Sequence, residues 1–355
     1  MRILVINPGS TSTKIAVYEG AECLFSHSIV HTPEQLSSFN DVIEEYPFRQ
    51  EMIKKELEAA GFSLHFDVVM GRGGVSRAIP GGVYEVNDLM VEHARTATRR
   101  HACNLGCIMA RDMALLTPGC RAFIADPGST DELYDYARVT GSPLMPRHCI
   151  WHALNQRAIA RRFARETGCE YEDLNLIICH LGGGISVVAH EKGRAVDANN
   201  ALEGDGPFSP ERSGSLPVTD LINLCYDGQV TRHELLKRVK GRGGMSAHLG
   251  TNDVREVLRR IDEGDDHARL VLEAMLYQTS KAIAGLGATL RGKVDAILLT
   301  GGIAHSERIT DYLRSRIDWI APTYCYPGED EMEALALNAV DVLENRRTPK
   351  VYDFE

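Results

Sequence analysis

The sequence predicts an α/β protein of two domains made by duplication. Three observations carry that expectation. Apolar strand-like runs alternate with helical patterns along the whole chain, the mark of an α/β fold. At 355 residues the chain exceeds what one hydrophobic core normally organises. A strand–glycine–strand hairpin near the start also returns half a chain later. ILVINPGSTSTKIAVYEG at 3–20 and LIICHLGGGISVVAHEKG at 176–193 both run apolar strand, polar residue, x-Gly turn, apolar strand, hairpin turn. Asn7 matches His180 and Gly9 matches Gly182 at an offset of 173, whereas Tyr18-Glu19 matches His190-Glu191 at 172. The second loop has therefore lost one residue. A third strand follows each hairpin, at 22–29 and 194–197. A repeat at half the chain length is the signature of internal duplication.

The elements follow in order. The apolar run 3–6 stops at Asn7-Pro8-Gly9, where Pro and Gly punctuate a turn. Ser10, Thr11, Ser12 and Thr13 follow, then Lys14, then the strand 15–17. Hydroxyls, turn N–H groups and one cation are the partners a phosphate needs. A helical pattern covers 50–60, and the run 67–70 leads into Gly71-Arg72-Gly73-Gly74. Another helical pattern spans 88–116, and the run 122–125 ends at Asp126-Pro127-Gly128. Helical patterns at 151–166, 231–239, 252–262, 268–290 and 330–345 complete the list, with a further strand at 295–300 ending on Gly301-Gly302-Ile303. Ligands of open α/β sheets bind where strands end, so the glycines and charges at these ends are the site candidates.

Composition narrows the class. The formal net charge of −10 argues against a nucleic-acid partner, which needs a basic face. No apolar run reaches the roughly 18 residues of a membrane helix, so no membrane partner is expected. Nine cysteines are scattered without a CxxC pair, which excludes zinc-ribbon and thioredoxin patterns. Cys103 and Cys107 share a helical face and read as buried thiols. The chain enters a strand at once, and the reading is a cytoplasmic protein. GxxxxGK[ST], a Rossmann GxGxxG in either hairpin, HExxH and GxSxG are all absent.

Several residues have chemistry to offer. Asn7, Ser10, Ser12 and Lys14 form a candidate phosphate loop, against the plain alternative of a solvated hairpin. His180 with Gly182, Gly183 and Gly184 forms the second, since consecutive glycines cost entropy and suit close backbone–ligand approach, or else a tight hairpin. Arg72 and Arg212 are loop arginines suited to bidentate grip on carboxylate or phosphoryl oxygens; each alone is more often a surface residue. Asp126 ends a strand, where it suits holding Mg²⁺ through water or orienting a carboxylate, against the plain alternative of a helix N-cap or Asx turn. His152 opens a helix and is a donor for a transferring phosphoryl group or a structural histidine, with His148 as competitor.

With these residues in hand, the chain resembles the acetate and butyrate kinase family, closest to its butyrate kinases. NPGSTSTK at 7–14 and HLGGGISVVAH at 180–190 carry the resemblance, supported by DVVMGRGG (67–74), WHALNQRAIA (151–160), NNALEGDGPFSPERSG (199–214), TGGIAHSERI (300–309) and YPGEDEMEAL (326–335). It implies two duplicated ribonuclease-H-like domains, as in actin, sugar kinases and heat-shock ATPases, with a nucleotide cleft between them. The domains would be 1–146 plus 330–355, and 147–329. It implies ATP/ADP and Mg²⁺ as cofactors, a short-chain carboxylate or acyl phosphate as substrate, and a homodimer or higher homo-oligomer.

Residue by residue, the resemblance places Asn7, Ser10, Ser12 and Lys14 along the phosphoryl path. Arg72 and Arg212 would hold the carboxylate and the phosphoryl group, with Asp126 as the catalytic carboxylate and His152 stabilising the transition state. His180 and its glycines would contact nucleotide phosphates, Asp253 and Arg255 the adenine side, and Gly301, Gly302 and Ile303 the adenosine shelf; Glu331 would be linked to Mg²⁺. The chain departs from acetate kinases in GRGG for HRVVHGG, in WHALNQ for FHGTSH and in Pro8 for alanine. These departures favour a C4-type acid over acetate. Acetate or propionate kinases of the same family, a sugar kinase and a nucleotide-gated assembly protein are the other readings.

Overall fold

The computed structural model describes residues 1–354. The chain divides into two compact units, Met1–Thr130 together with the segment from Asp330 onward, and Asp131–Glu329. The boundary falls earlier than the break after Pro146 read from the sequence. Residues beyond Thr130 are tied to the second unit: Tyr134 N–H donates to Val196 O (2.9 Å), and Arg157 pairs with Glu132 at 3.0 Å.

The first unit holds β1 (Arg2–Pro8), β2 (Ser12–Glu19), β3 (Glu22–Val30), β4 (Val68–Arg72), β5 (Val83–Glu85) and β6 (Arg121–Ala125) in one sheet of order β3-β2-β1-β4-β6-β5. The β1–β2–β3 meander is antiparallel and the β1, β4, β6 set parallel. Parallel strands covered on both faces must be apolar throughout, and Ile3 to Ile6 and Val68 to Met70 are fully buried. Helices Leu105–Ala114 and Glu331–Leu343 pack on β1, β4 and β6. The chain's last helix therefore closes the first unit's core through Leu335, Ala336 and Ala339.

The second unit holds β7 (Asn175–Leu181), β8 (Ile185–Glu191), β9 (Arg194–Ala198), β10 (Ala296–Gly301) and β11 (Thr323–Pro327) in the order β11-β10-β7-β8-β9. Reversed, that order is β9-β8-β7-β10-β11, the same path as β3-β2-β1-β4-β6, with the same antiparallel and parallel pairings. The meanders even share an irregularity: the register shifts between Val17 and Tyr18 in one and between Ala189 and His190 in the other. The duplication read from the two hairpins is thus present in topology and in register.

Two helical readings change. The 88–116 pattern is two helices, Asp88–Thr96 and Leu105–Ala114. No Pro or Gly marks the break; Asn104 makes it, its carboxamide accepting from Val75 N–H and donating to Arg99 O. The 50–60 pattern begins earlier, in helix Tyr46–Ala59. Among the described residues no helix is long and apolar enough to cross a membrane. Cys103 and Cys107 are buried, and burial pushes their thiols up to about 11 and about 12.

Candidate active site

In the first unit the strand ends assemble a polar cluster. β1 delivers Asn7 and β4 delivers Arg72. Arg72 Nη1 donates to Asn7 Oδ1 (3.2 Å) and Arg72 Nη2 pairs with Glu331 Oε1 (2.9 Å). Asn7 Nδ2 closes the ring on Glu331 Oε2 at 2.8 Å. Glu331 stands in the first turn of its helix, where the helix dipole favours a carboxylate. The arginine fork is therefore aimed by two partners while its side chain keeps 30% exposure. Glycine makes the approach possible: a Cβ on Gly71 would lie 2.2 Å from Gly106 O, and one on Gly106 2.1 Å from Arg72 O.

Asp126 follows β6 with a φ of 38°, in the left-handed region that a non-glycine residue rarely adopts. It is 1% exposed. Its Oδ1 accepts from Gly82 N–H at 2.8 Å, and its own N–H donates to Gly82 O at 2.9 Å. It is not the N-cap of any described helix. The strain and burial of a carboxylate at a strand end mark it as a functional candidate.

The hairpin 7–14 is held from behind by a residue that no sequence pattern marked. Arg49, fully buried, donates to Gly9 O (2.8 Å), Ser10 O (3.2 Å), Ser12 O (3.2 Å) and Thr13 Oγ1 (3.1 Å), and pairs with Glu45. Thr13 also bonds His31 Nε2 at 2.9 Å. Ser10 and Lys14 are exposed and Ser12 is half-buried.

In the second unit β7 and β8 build the matching hairpin. His180 is buried, its Nδ1 2.8 Å from Asn155 Oδ1, and its Nε2 faces Glu329 Oε1 at 3.0 Å without hydrogen-bond alignment. The His152 ring stacks on it, centroids 3.7 Å apart and planes 10° apart. Ser186 pairs with His180 in the ladder as Lys14 pairs with Asn7, so a buried serine stands where the first copy keeps a cation. Gln156 Nε2 donates to the Ser186 carbonyl (3.2 Å) and to its Oγ (2.8 Å). The Ser186 Oγ also lies 2.8 Å from His152 Nδ1, so the serine ties the ring to Gln156. His148 is exposed on the preceding loop.

The glycine run has a physical explanation in the protein itself. A Cβ on Gly184 would sit 1.5 Å from Arg212 Nη1, and one on Gly183 3.2 Å from the Glu211 carboxyl carbon. Gly183 O accepts from Ser209 Oγ at 2.7 Å. The second and third glycines thus make room for the 209–212 loop that delivers Arg212. Burial pushes the Arg212 guanidinium below its ordinary range, though arginine stays charged.

A groove of about 800 Å³ opens beside this hairpin, lined among others by Gly182, Asp253, Arg255, Gly302, Ile303 and Glu329. It gathers residues that the sequence scattered over more than a hundred positions. Gly301, just before the lining residue Gly302, has a φ of 92°, and a Cβ there would lie 2.4 Å from Leu181 O. Asp253 caps helix Val254–Asp262 and holds Arg255 through Nε (3.0 Å) and Nη2 (2.8 Å). Those bonds hold its carboxyl down at about 2. A second cavity of about 680 Å³ is walled by apolar residues such as Phe208, Leu224 and Val271 and holds none of the candidate residues.

The sequence model of the acetokinase family matches residues 133–314. A "Probable butyrate kinase" of Bacteroides thetaiotaomicron is 57% identical over 352 residues, 99% of this chain and 100% of that protein. The chain belongs to the acetokinase family. A second "Probable butyrate kinase", from Phocaeicola vulgatus, is 47% identical over 99% of both chains. Among solved structures, Porphyromonas gingivalis acetate kinase superposes with a TM-score of 0.79 at 18% identity, covering 96% of this chain and 99% of its own. A propionate kinase from Francisella tularensis gives 0.75 at 17% identity, over 95% and 98%. At such identities the likeness is one of fold, and it agrees with the duplicated ribonuclease-H-like topology.

Within this chain, the first unit brings Asn7, Arg72 and Glu331 together and holds Asp126 on Gly82. The second brings His152 to His180, Arg212 to Gly184, and the groove residues to one another. Arg49, Asn155, Ser186 and Glu329 are additions. Asn155 was legible in principle, three residues after His152 on the same helix face.

Proposed function

We propose that the protein transfers a phosphoryl group reversibly between ATP and butyrate, or a related short or branched-chain fatty acid, giving the acyl phosphate and ADP by direct in-line transfer. The observation that carries this reading is Arg72, a guanidinium at a strand end aimed by Asn7 and Glu331 and partly open to solvent. A planar fork of this kind suits a carboxylate. The names of relatives 46–57% identical over nearly the whole chain support it and favour a C4 acid.

The chemistry asks little covalent work of the protein. A carboxylic acid ionises near pH 4, so the nucleophile is already an anion at neutral pH and needs no general base. Rate then comes from positioning and charge neutralisation. Arg72 pins the carboxylate. Arg212 and His152 meet the equatorial oxygens of the travelling group, and Asp126 is the catalytic carboxylate. Asn7, Ser10, Ser12 and Lys14 line the phosphoryl path. His180 and Gly182 to Gly184 meet the nucleotide phosphates, while Asp253, Arg255 and Gly301 to Ile303 take the adenosine.

Mg²⁺ fits as an ion carried mainly on phosphates and water. Among the described residues no group of three His, Cys, Asp or Glu side chains is placed to cage a metal, and both Glu331 oxygens already accept a protein hydrogen bond or ion pair. Glu331 would hold the ion through a remaining lone pair or a water, as is usual for this cation. When bound, it supplies charge neutralisation at the phosphates.

Trapping the product with hydroxylamine tests the reading. ATP with straight and branched C2 to C6 acids should give a hydroxamate, with the highest kcat/KM at C4. No hydroxamate from any acid would overturn it.

A further inference from the structure

Asp126 Oδ1 is held by Gly82 N–H at 2.8 Å. The carbonyl of that same peptide unit, Gly81 O, accepts from the Lys350 ammonium at 2.5 Å. Lys350 also donates its backbone N–H to Val83 O at 2.7 Å and bridges Tyr84 in parallel. Gly82 has a φ of 140° and presents its bare Cα to the lysine stem; a Cβ there would lie 3.1 Å from Lys350 Cε. Two residues on, Tyr352 is buried, its carbonyl taking Asn87 Nδ2 at 2.8 Å and its hydroxyl 3.0 Å from His93 Nδ1. Segment 350–352 is thus strapped along β5, and its one cation lies on the Gly81 carbonyl and over the Tyr84 ring, 6.0 Å from its centroid.

We propose that Lys350 is a positioning residue for Asp126, acting through the Gly81–Gly82 peptide. A cation on the carbonyl polarises the amide, so the N–H at its other end becomes a stronger donor to the carboxylate. The same contact fixes the plane of the peptide, and with it the direction of the Asp126 carboxylate. Gly81 and Gly82 have no side chains to help set that plane, and Lys350 adds a constraint from the carbonyl side. The lysine itself touches no reacting atom. The role rests on Asp126 acting in the proposed phosphoryl transfer.

The test compares Lys350→Met, which keeps the stem and loses the cation, with Lys350→Arg, which keeps the cation. Lys350→Met should lower kcat between about 5- and 100-fold, the range expected for slight misplacement of a reacting group. KM for ATP should stay within about twofold and the thermal midpoint within about 2 °C. Lys350→Arg should recover at least about half of the lost kcat, given its retained charge. Amide exchange at Gly82, followed by NMR or on a peptide spanning 79–85, should quicken in Lys350→Met and not in Lys350→Arg, whatever the substrate. Normal kcat in Lys350→Met, no recovery by arginine, or unchanged exchange at Gly82 would each overturn the proposal. Asp126→Ala in the same assay separates the two claims. An active Asp126→Ala sinks the catalytic role of Asp126, whereas an inactive one beside a fully active Lys350→Met sinks only the role of Lys350.

Discussion

At the scale of single residues, the site is organised by what each functional group is pressed against. Arg212 occupies the space that a side chain at position 184 would fill, since a Cβ there would come within 1.5 Å of its Nη1. Arg212→Ala should abolish turnover with the circular dichroism spectrum unchanged; near-normal hydroxamate formation would remove Arg212 from the mechanism. Gly184→Ala should lose kcat almost as fully, because the methyl displaces the guanidinium without deleting it. A Gly184→Ala enzyme at wild-type rate would show that Arg212 need not lie where it does. Lys14 is a different case, exposed on β2. If it steadies phosphate, Lys14→Ala raises KM for ATP or the acyl phosphate several-fold, as loss of a charge-assisted bond does. Unchanged KM values would make it a surface lysine. Its counterpart in the second copy, Ser186, is by contrast wholly internal and lies 2.8 Å from His152 Nδ1. The same position in two copies has taken up two different tasks.

At the scale of elements, the phosphate hairpin owes its shape to the helix behind it. Arg49 supplies donors to three loop carbonyls, and Glu45 neutralises it from one turn away. Arg49→Met would leave those carbonyls without donors and Glu45 without its cation. Breaking a buried pair in this way costs about 3–5 kcal/mol, read as a lower urea midpoint. A midpoint equal to wild type would show that the loop holds itself. His31 beneath the same hairpin gives a pH signature. Burial, helped by nearby Arg49, lowers its imidazole from 6.5 to about 4. The folded protein refuses a proton that the unfolded chain accepts below pH 6.5. This contribution is therefore complete above that value and fades as the pH drops toward about 4. The thermal midpoint should fall between pH 6.5 and 4.5 in the wild type and fall less in His31→Gln; parallel curves would refute the assignment. Neither residue was legible in the sequence. A buried arginine in an otherwise polar helix looks like any solvated one, since periodicity reports apolar faces only. What was legible came from residues whose backbone role is peculiar to them. Asn7-Pro8-Gly9 and Gly182-Gly183-Gly184 announced the hairpins, and the strand-end positions of Arg72 and Asp126 followed from apolar runs stopping at glycine or proline. The sequence could not tell that two of the three glycines yield space to Glu211 and Arg212, because that crowding comes from a loop some 25 residues away.

At the scale of the whole molecule, two sheets of matching order are each completed by their own helices, but only the second unit is continuous in sequence. The first borrows helix Glu331–Leu343, which brings Leu335, Ala336 and Ala339 into its core and Glu331 onto Arg72 and Asn7. A chain stopped after Glu329 should keep slow amide exchange through β7 and β10 and lose it through β1 and β4. Equal protection in both sheets would contradict the assignment of that helix to the first core. The discontinuity also bears on how the protein is made. Domains emerging from the ribosome fold in order of synthesis, at about 5–20 residues per second. Here the first strands to emerge must wait for their closing helix until all of the second unit has been translated, an interval of about 10–40 seconds at those rates. During that interval the apolar face of β1 and β4 has no native cover from this helix. Its temporary guardian is whatever meets nascent chains at the tunnel exit, and slowing translation within residues 131–329 should lower the yield of soluble enzyme more than slowing it elsewhere.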